Sequence, residues 1–218
     1  MTTQNLSLTH LVRPSNLNTK APLILMLHGY GSDENDLFSF ADELPEEYIV
    51  ISLKAPHELQ AYGNAWYAIN FDAQQGKFSD IEQGVQSRNL VQKFISEAIE
   101  TYPIDKNNIT LLGFSQGTIL SFALALSHPE MFKNIIGLSG YIDENMIEAG
   151  YENNDFSHLS VYNSHGSSDQ VIPVEWARKN KPFLEKLNID ITYEEYPVGH
   201  GINPQNFMSL KKWLSEHR

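Results

Sequence analysis

Short runs in which almost every position is apolar alternate along this chain with longer stretches whose apolar residues recur every three or four positions. PLILMLH (22–28) and the segment 48–53 read as strands buried on both faces, because a half-buried strand would alternate instead. NLSLTHLV (5–12) does alternate and is expected at a sheet edge. Segment 33–44 has a helical stripe in Leu37, Phe38, Phe40, Ala41 and Leu44, with Ser32 or Asp33 as N-cap. A longer stripe covers 81–102 through Val85, Leu90, Val91, Phe94, Ile95, Ala98 and Ile99, and Pro103 ends it. NITLL (108–112) leads into Gly113 and then into the helical pattern TILSFALALSH. Further on, 134–138, 158–164 and 189–196 read as strands, and 173–187 and about 203–215 as helices. Such alternation predicts an α/β fold with a mostly parallel central sheet and helices on both faces. Segment 54–80 breaks the pattern. It mixes Pro56, Gly63 and Gly76 with Tyr62, Trp66, Tyr67, Phe71 and Phe78 and has no clear period, and a long loop of this kind is often functional.

Composition narrows the classes. A chain of 218 residues fits one α/β domain with a sizeable core, and no internal repeat or linker divides 1–218. A net charge of −12 argues against nucleic acid, which needs a basic face to neutralise phosphates, and against anionic lipid. Without cysteine, thiolate catalysis and disulfides are excluded. No apolar run approaches the roughly 18 residues of a membrane helix. The N-terminal MTTQNLSLTHLVRPS lacks a basic segment followed by an apolar core, so a cytoplasmic protein is expected.

The candidate chemistry centres on Gly113-Phe114-Ser115-Gln116-Gly117. In strand–turn–helix context, G-x-S-x-G places a serine Oγ on a sharp bend above a sheet. Serine needs a base and a group to orient that base. His200, flanked by Gly199 and Gly201 beyond a predicted strand, is the candidate base among eight histidines; His128, His158 and His217 read as ordinary surface or core residues. The acid is expected between serine and histidine in the chain. Asp169, in HGSSDQVIP at the carboxyl end of a predicted strand, fits best, with N-capping of the next helix as its other reading. Asp143, Asp155 and Asp190 are weaker rivals. Oxyanion donors are expected from the main chain of Gln116 and of Tyr30 in His28-Gly29-Tyr30-Gly31, with His28 bracing that loop. Trp66, Tyr67 and Phe71, with Ile172, offer an apolar substrate wall; the other reading of the aromatics is packing of the loop onto the body.

Taken in order, HGYGSDENDL, GFSQG, HGSSDQVIP and YPVGHGINPQNFMSLKKWL resemble the phospholipase/carboxylesterase family of α/β-hydrolases, which contains acyl-protein thioesterases and small carboxylesterases. The likeness spans about 22–214. It implies Ser115 as nucleophile, Asp169 as acid and His200 as base, with Tyr30 and Gln116 as oxyanion donors, and it makes Trp66 a matched position. It implies an α/β-hydrolase cleaving a small-molecule or lipid-like carboxylic ester, thioester or lysophospholipid, without metal or cofactor. Oligomeric state stays open. A catalytically inactive binding module and a small serine peptidase are the alternatives on the same fold.

Overall fold

A computed structural model describes residues 5–72 and 76–218, and the side chains of 71–78 lie outside the description. The chain begins with β1 (His10–Arg13) and β2 (Ala21–Leu27), then α1 (Asn35–Phe38) and β3 (Ile49–Leu53). Two small hairpins follow, β4 (His57–Glu58) with β5 (Asn64–Ala65) and β6 (Ile69–Asp72) with β7 (Gly76–Ser79). The remainder is α2 (Ile81–Thr101), β8 (Ile104–Phe114), α3 (Gln116–Ser127), β9 (Asn134–Leu138), β10 (Ser160–Gly166), α4 (Val174–Ala177), α5 (Asn180–Lys186), β11 (Asp190–Tyr196) and α6 (Pro204–Glu216).

The described strands include a seven-stranded sheet in the order β1-β3-β2-β8-β9-β10-β11. Only the edge strand β1 runs antiparallel, paired His10↔Leu53 to Arg13↔Val50 with β3. Along β2, Leu23, Leu25 and Leu27 join one core and Ile24 and Met26 the other, as period-2 alternation requires. The first core includes α2 and α3; α3 is buried along its whole length, which accounts for its continuous apolar run. Beneath the sheet, Phe207, Leu210, Trp213 and Leu214 of α6 pack with Leu37 of α1. Asp80 caps α2 by accepting from Gln83 N–H, and Asn203 caps α6 by accepting from Asn206 N–H. Because β2, β8, β9, β10 and β11 are parallel, their carboxyl ends open onto one edge, and the loops after them carry every candidate catalytic residue. No helix among the described residues is long and apolar enough to cross a membrane.

Three sequence expectations change. The helix expected over 33–44 is reduced to α1 and a 3-10 turn at Ala41–Glu43. Asp33 Oδ1 accepts from Asn35 N–H in a local turn, and the Arg13 guanidinium captures the carbonyls of Ala41, Leu44, Pro45 and Tyr48. The cationic side chain of a distant strand thus satisfies carbonyls that a continuing helix would have used. The helix expected over 173–187 divides into α4 and α5. Pro182 supplies no N–H to the carbonyl four residues before it, and its ring crowds that carbonyl. Finally, the strand expected over 5–12 is ordered as β1 only from His10.

Candidate active site

Ser115 joins β8 to α3 with φ 54° and ψ −116°, a conformation that side chains rarely adopt. Such backbone costs on the order of 1–3 kcal/mol and persists only where its surroundings hold it. Here they do. Ser115 N–H donates to the Leu138 carbonyl at 2.8 Å, and the Ser115 carbonyl accepts from Thr118 and Ile119. The Thr118 hydroxyl lies 2.7 Å from the carbonyls of Gly113 and Leu138 and accepts from Leu138 N–H. The two glycines of the pentapeptide are steric necessities. A Cβ on Gly113 would stand 2.5 Å from the Gly117 oxygen, and one on Gly117 would stand 2.0 Å from the Leu27 oxygen.

The loops after β10 and β11 bring Asp169 and His200 to this bend. His200 Nε2 lies 2.9 Å from Ser115 Oγ, and His200 Nδ1 lies 2.7 Å from Asp169 Oδ2. The carboxylate can only accept, so Nδ1 carries the proton and the Nε2 lone pair faces the serine hydroxyl. Asp169 Oδ1 accepts from Val171 N–H at 2.8 Å and Ile172 N–H at 2.9 Å. Asp169 does not cap α4, whose N-cap position is Pro173 without a side-chain bond; it turns its own loop with one oxygen while holding the imidazole with the other. Burial pushes its carboxyl upward, but the His200 bond and the N–H groups of Ile172 and Val171 outweigh burial and hold it below the ordinary carboxylate value. Asp143 and Asp155 instead organise surface turns, and Asp190 opens β11. His158 bonds the Pro129 carbonyl and His217 the Trp213 carbonyl.

Facing the bend is the loop after β2. A Cβ on Gly29 would lie 3.3 Å from Ser115 Cβ, so Tyr30 follows a residue seated against the nucleophile. His28 braces this loop. Its Nε2 accepts from Ala55 N–H at 3.1 Å, so Nδ1 carries the proton and donates to the Gly29 carbonyl at 2.7 Å. Trp66 Nε1–H donates to the His28 carbonyl at 2.9 Å. Gln116 opens α3, where first-turn N–H groups lack intrahelical acceptors. The Gln116 side chain is fully engaged elsewhere, accepting from Trp66 N–H and donating to the Tyr67 carbonyl, both at 2.8 Å. Segment 66–67 thus ties the bend to the loop opposite it.

That finding corrects the substrate wall. Trp66 and Tyr67 are 0% and 1% exposed, so they pack rather than present a surface, and Ile172 is likewise buried in the core. Their main chain is held on two sides, by the Gln116 side chain at Trp66 N–H and the Tyr67 carbonyl and by the Ser87 hydroxyl at the Trp66 carbonyl. The Phe71 side chain lies outside the described residues. Apolar surface appears instead at Tyr30, Tyr62, Val171 and Trp176, four of the six exposed large apolar side chains among the described residues. Tyr62 reaches over Gly31, and Val171 and Trp176 follow Asp169. Sequence reasoning passed over these four as a surface, because exposure carries no local signature. It also passed over His165, whose Nε2 lies 3.2 Å from Asp169 Oδ2. The only signal was its place four residues before Asp169.

Burial pushes the His28 imidazole below its ordinary value of 6.5, more than its bond to the Gly29 carbonyl restores. With the folded value depressed, this residue's contribution to stability is complete above 6.5 and is lost as pH falls from there through the folded value. Urea midpoints at pH 7.5 and 5.5 should therefore fall less for His28→Asn than for the wild type. Equal falls in both proteins would remove His28 as the cause.

The chain is similar in sequence and in fold to known proteins. The phospholipase/carboxylesterase family model matches residues 11–218. Acyl-protein thioesterase 1 of Kluyveromyces lactis is 27% identical over 214 residues, covering 89% of this chain and 91% of that protein. In fold, the chain resembles the Bacillus cereus carboxylesterase, with a TM-score of 0.85 at 21% identity, covering 98% of this chain and 96% of that one. It also resembles esterase PE8, with a TM-score of 0.83 at 24% identity, covering 97% and 99% of the two chains.

Proposed function

The chain belongs to the phospholipase/carboxylesterase family and is a carboxylic ester hydrolase, and from that premise we propose that Ser115, His200 and Asp169 are its catalytic triad. The observation carrying this reading is the continuous line Ser115 Oγ, His200, Asp169, with contacts of 2.9 and 2.7 Å at a strained bend. His200 Nε2 takes the hydroxyl proton as Oγ attacks the acyl carbon. The main-chain N–H groups of Tyr30 and Gln116 hold the developing oxyanion, an interaction worth on the order of 10²–10³ in rate for each donor. The His200 imidazolium, stabilised by Asp169, then protonates the leaving alcohol or thiol. Water activated by the same imidazole attacks the acyl-serine, and the acid departs as Ser115 regains its proton. Each half-reaction moves one proton through Nε2, and the triad itself needs no metal.

The substrate side is framed by Tyr30, Tyr62, Val171 and Trp176, whose exposed apolar surface suits an acyl chain or an apolar leaving group. Oxyester and thioester both suit the same bend, since histidine can protonate either leaving atom. A fluorophosphonate provides the direct test. Incubation should add one phosphonyl group, mapped by peptide mass to Ser115, in step with loss of nitrophenyl ester turnover. An adduct elsewhere, or full turnover with Ser115 modified, would overturn the assignment.

A further inference from the structure

Beside the candidate acid stands a second imidazole, close to the same oxygen that meets His200. His165 is the last residue but one of β10, with its side chain wholly buried. Its Nε2 lies 2.9 Å from the Ile172 carbonyl, which can only accept, so Nε2 carries the proton. Nδ1 is buried with no partner among the described residues, which places the lone pair there, since a buried N–H without an acceptor is costly. The same Nε2–H edge passes 3.2 Å from Asp169 Oδ2, the oxygen that receives His200 Nδ1–H. Meanwhile Ile172 N–H donates to Asp169 Oδ1.

These contacts close a ring. Asp169 Oδ1 is tied to the main chain of Ile172, the Ile172 carbonyl to His165 Nε2, and Nε2 abuts Asp169 Oδ2. We propose that His165 is a positioning residue for the hydrolytic reaction, its Nε2–H clasping the 169–172 turn so that Asp169 Oδ2 stays aimed at His200 Nδ1. This rests on the triad reading above. His165 acts only through Asp169 and touches neither substrate nor reacting atoms. A rotation of the carboxylate would lengthen the bond to His200 and let the imidazole turn from the serine. The loss falls mainly on the chemical step, because Tyr30, Tyr62 and Trp176 lie outside the 169–172 turn and only Val171 of the exposed apolar residues shares it. Misplacement of a reacting group by about 1 Å can cost on the order of a hundredfold.

His165→Met keeps the apolar volume and removes the donor. Its kcat for a short nitrophenyl ester should fall about ten- to hundredfold, with KM within about twofold of the wild type. His165→Gln, whose amide nitrogen can occupy the place of Nε2, should recover most of that loss. Asn, too short to reach the Ile172 carbonyl, should not. Thermal midpoints of all three separate folding from catalysis, and should Met fail to fold, the Gln–Asn pair carries the same contrast. Wild-type kcat in the Met variant, or equal loss in Gln and Asn, would overturn the proposal. A phosphonate adduct confined to Ser115 together with loss of kcat in Asp169→Asn upholds the triad independently, so either result would then remove the role of His165 alone.

Discussion

Ser115→Ala is expected to lower kcat for an activated ester by about 10⁵- to 10⁶-fold while leaving the fold in place. The structural reason for the intact fold is that alanine retains the Cβ. The bend at φ 54° is therefore no more strained than before, and the main-chain bonds from Ser115 N–H to Leu138 and from Thr118 and Ile119 to Ser115 are unaffected. Only the Oγ contact with His200 disappears. Because the N–H groups of Tyr30 and Gln116 remain, a residual acceleration over water of about 10³–10⁴ should survive, as when a triad member is removed elsewhere. Stopped-flow assay with a nitrophenyl ester should show a burst of nitrophenol in the wild type if deacylation is slow, and none in the variant. Turnover by the alanine variant at the wild-type rate would exclude Ser115 as the nucleophile.

Asp169→Asn should cost about 10⁴-fold in kcat, through proton placement rather than loss of structure. Asp169 Oδ1 accepts two main-chain N–H groups, from Val171 and Ile172. In the asparagine variant those donors demand the amide oxygen, so the amide nitrogen must face His200 Nδ1. A donor there forces the imidazole to present its lone pair at Nδ1 and its proton at Nε2, the wrong tautomer to receive the hydroxyl proton from Ser115. Stability should respond as well. The wild-type carboxyl is held below its ordinary value of 3.8, so its contribution is complete above that value and is lost as pH falls through the folded one. The asparagine variant lacks that dependence, and its acid denaturation curve should be shallower near pH 3. An Asp169→Asn enzyme with wild-type kcat would move the acid elsewhere.

The legible parts of this chain were those where local chemistry and tertiary need coincide. PLILMLH reads as a buried strand because strands covered on both faces have no polar side to alternate with, NIIGL reads as a strand, and β2 and β9 lie within one residue of those segments. Ser115, Asp169 and His200 were legible because a bend, a loop at a strand end and a glycine-flanked histidine each leave a mark within about ten residues. Trp66 was legible as important, with its purpose left open between burial and binding. Its aromatic character announces burial or binding equally, and only the acceptors at Gln116 Oε1 and the His28 carbonyl decide for burial.

What the sequence by itself determined is the α/β alternation, the two close-packed glycines around Ser115 and the identity and order of the three candidate catalytic side chains. Those follow from side-chain period and backbone sterics, which act between near neighbours. The tertiary structure alone decided that Arg13 takes up carbonyls beyond α1 more than twenty residues later, that Trp66 and Gln116 lock the bend to the loop across from it, and that His165 stands beside Asp169. Each of these depends on hydrogen-bond geometry set by elements brought together only when the sheet is assembled. Directional contacts between residues far apart in the chain leave no periodic trace in it.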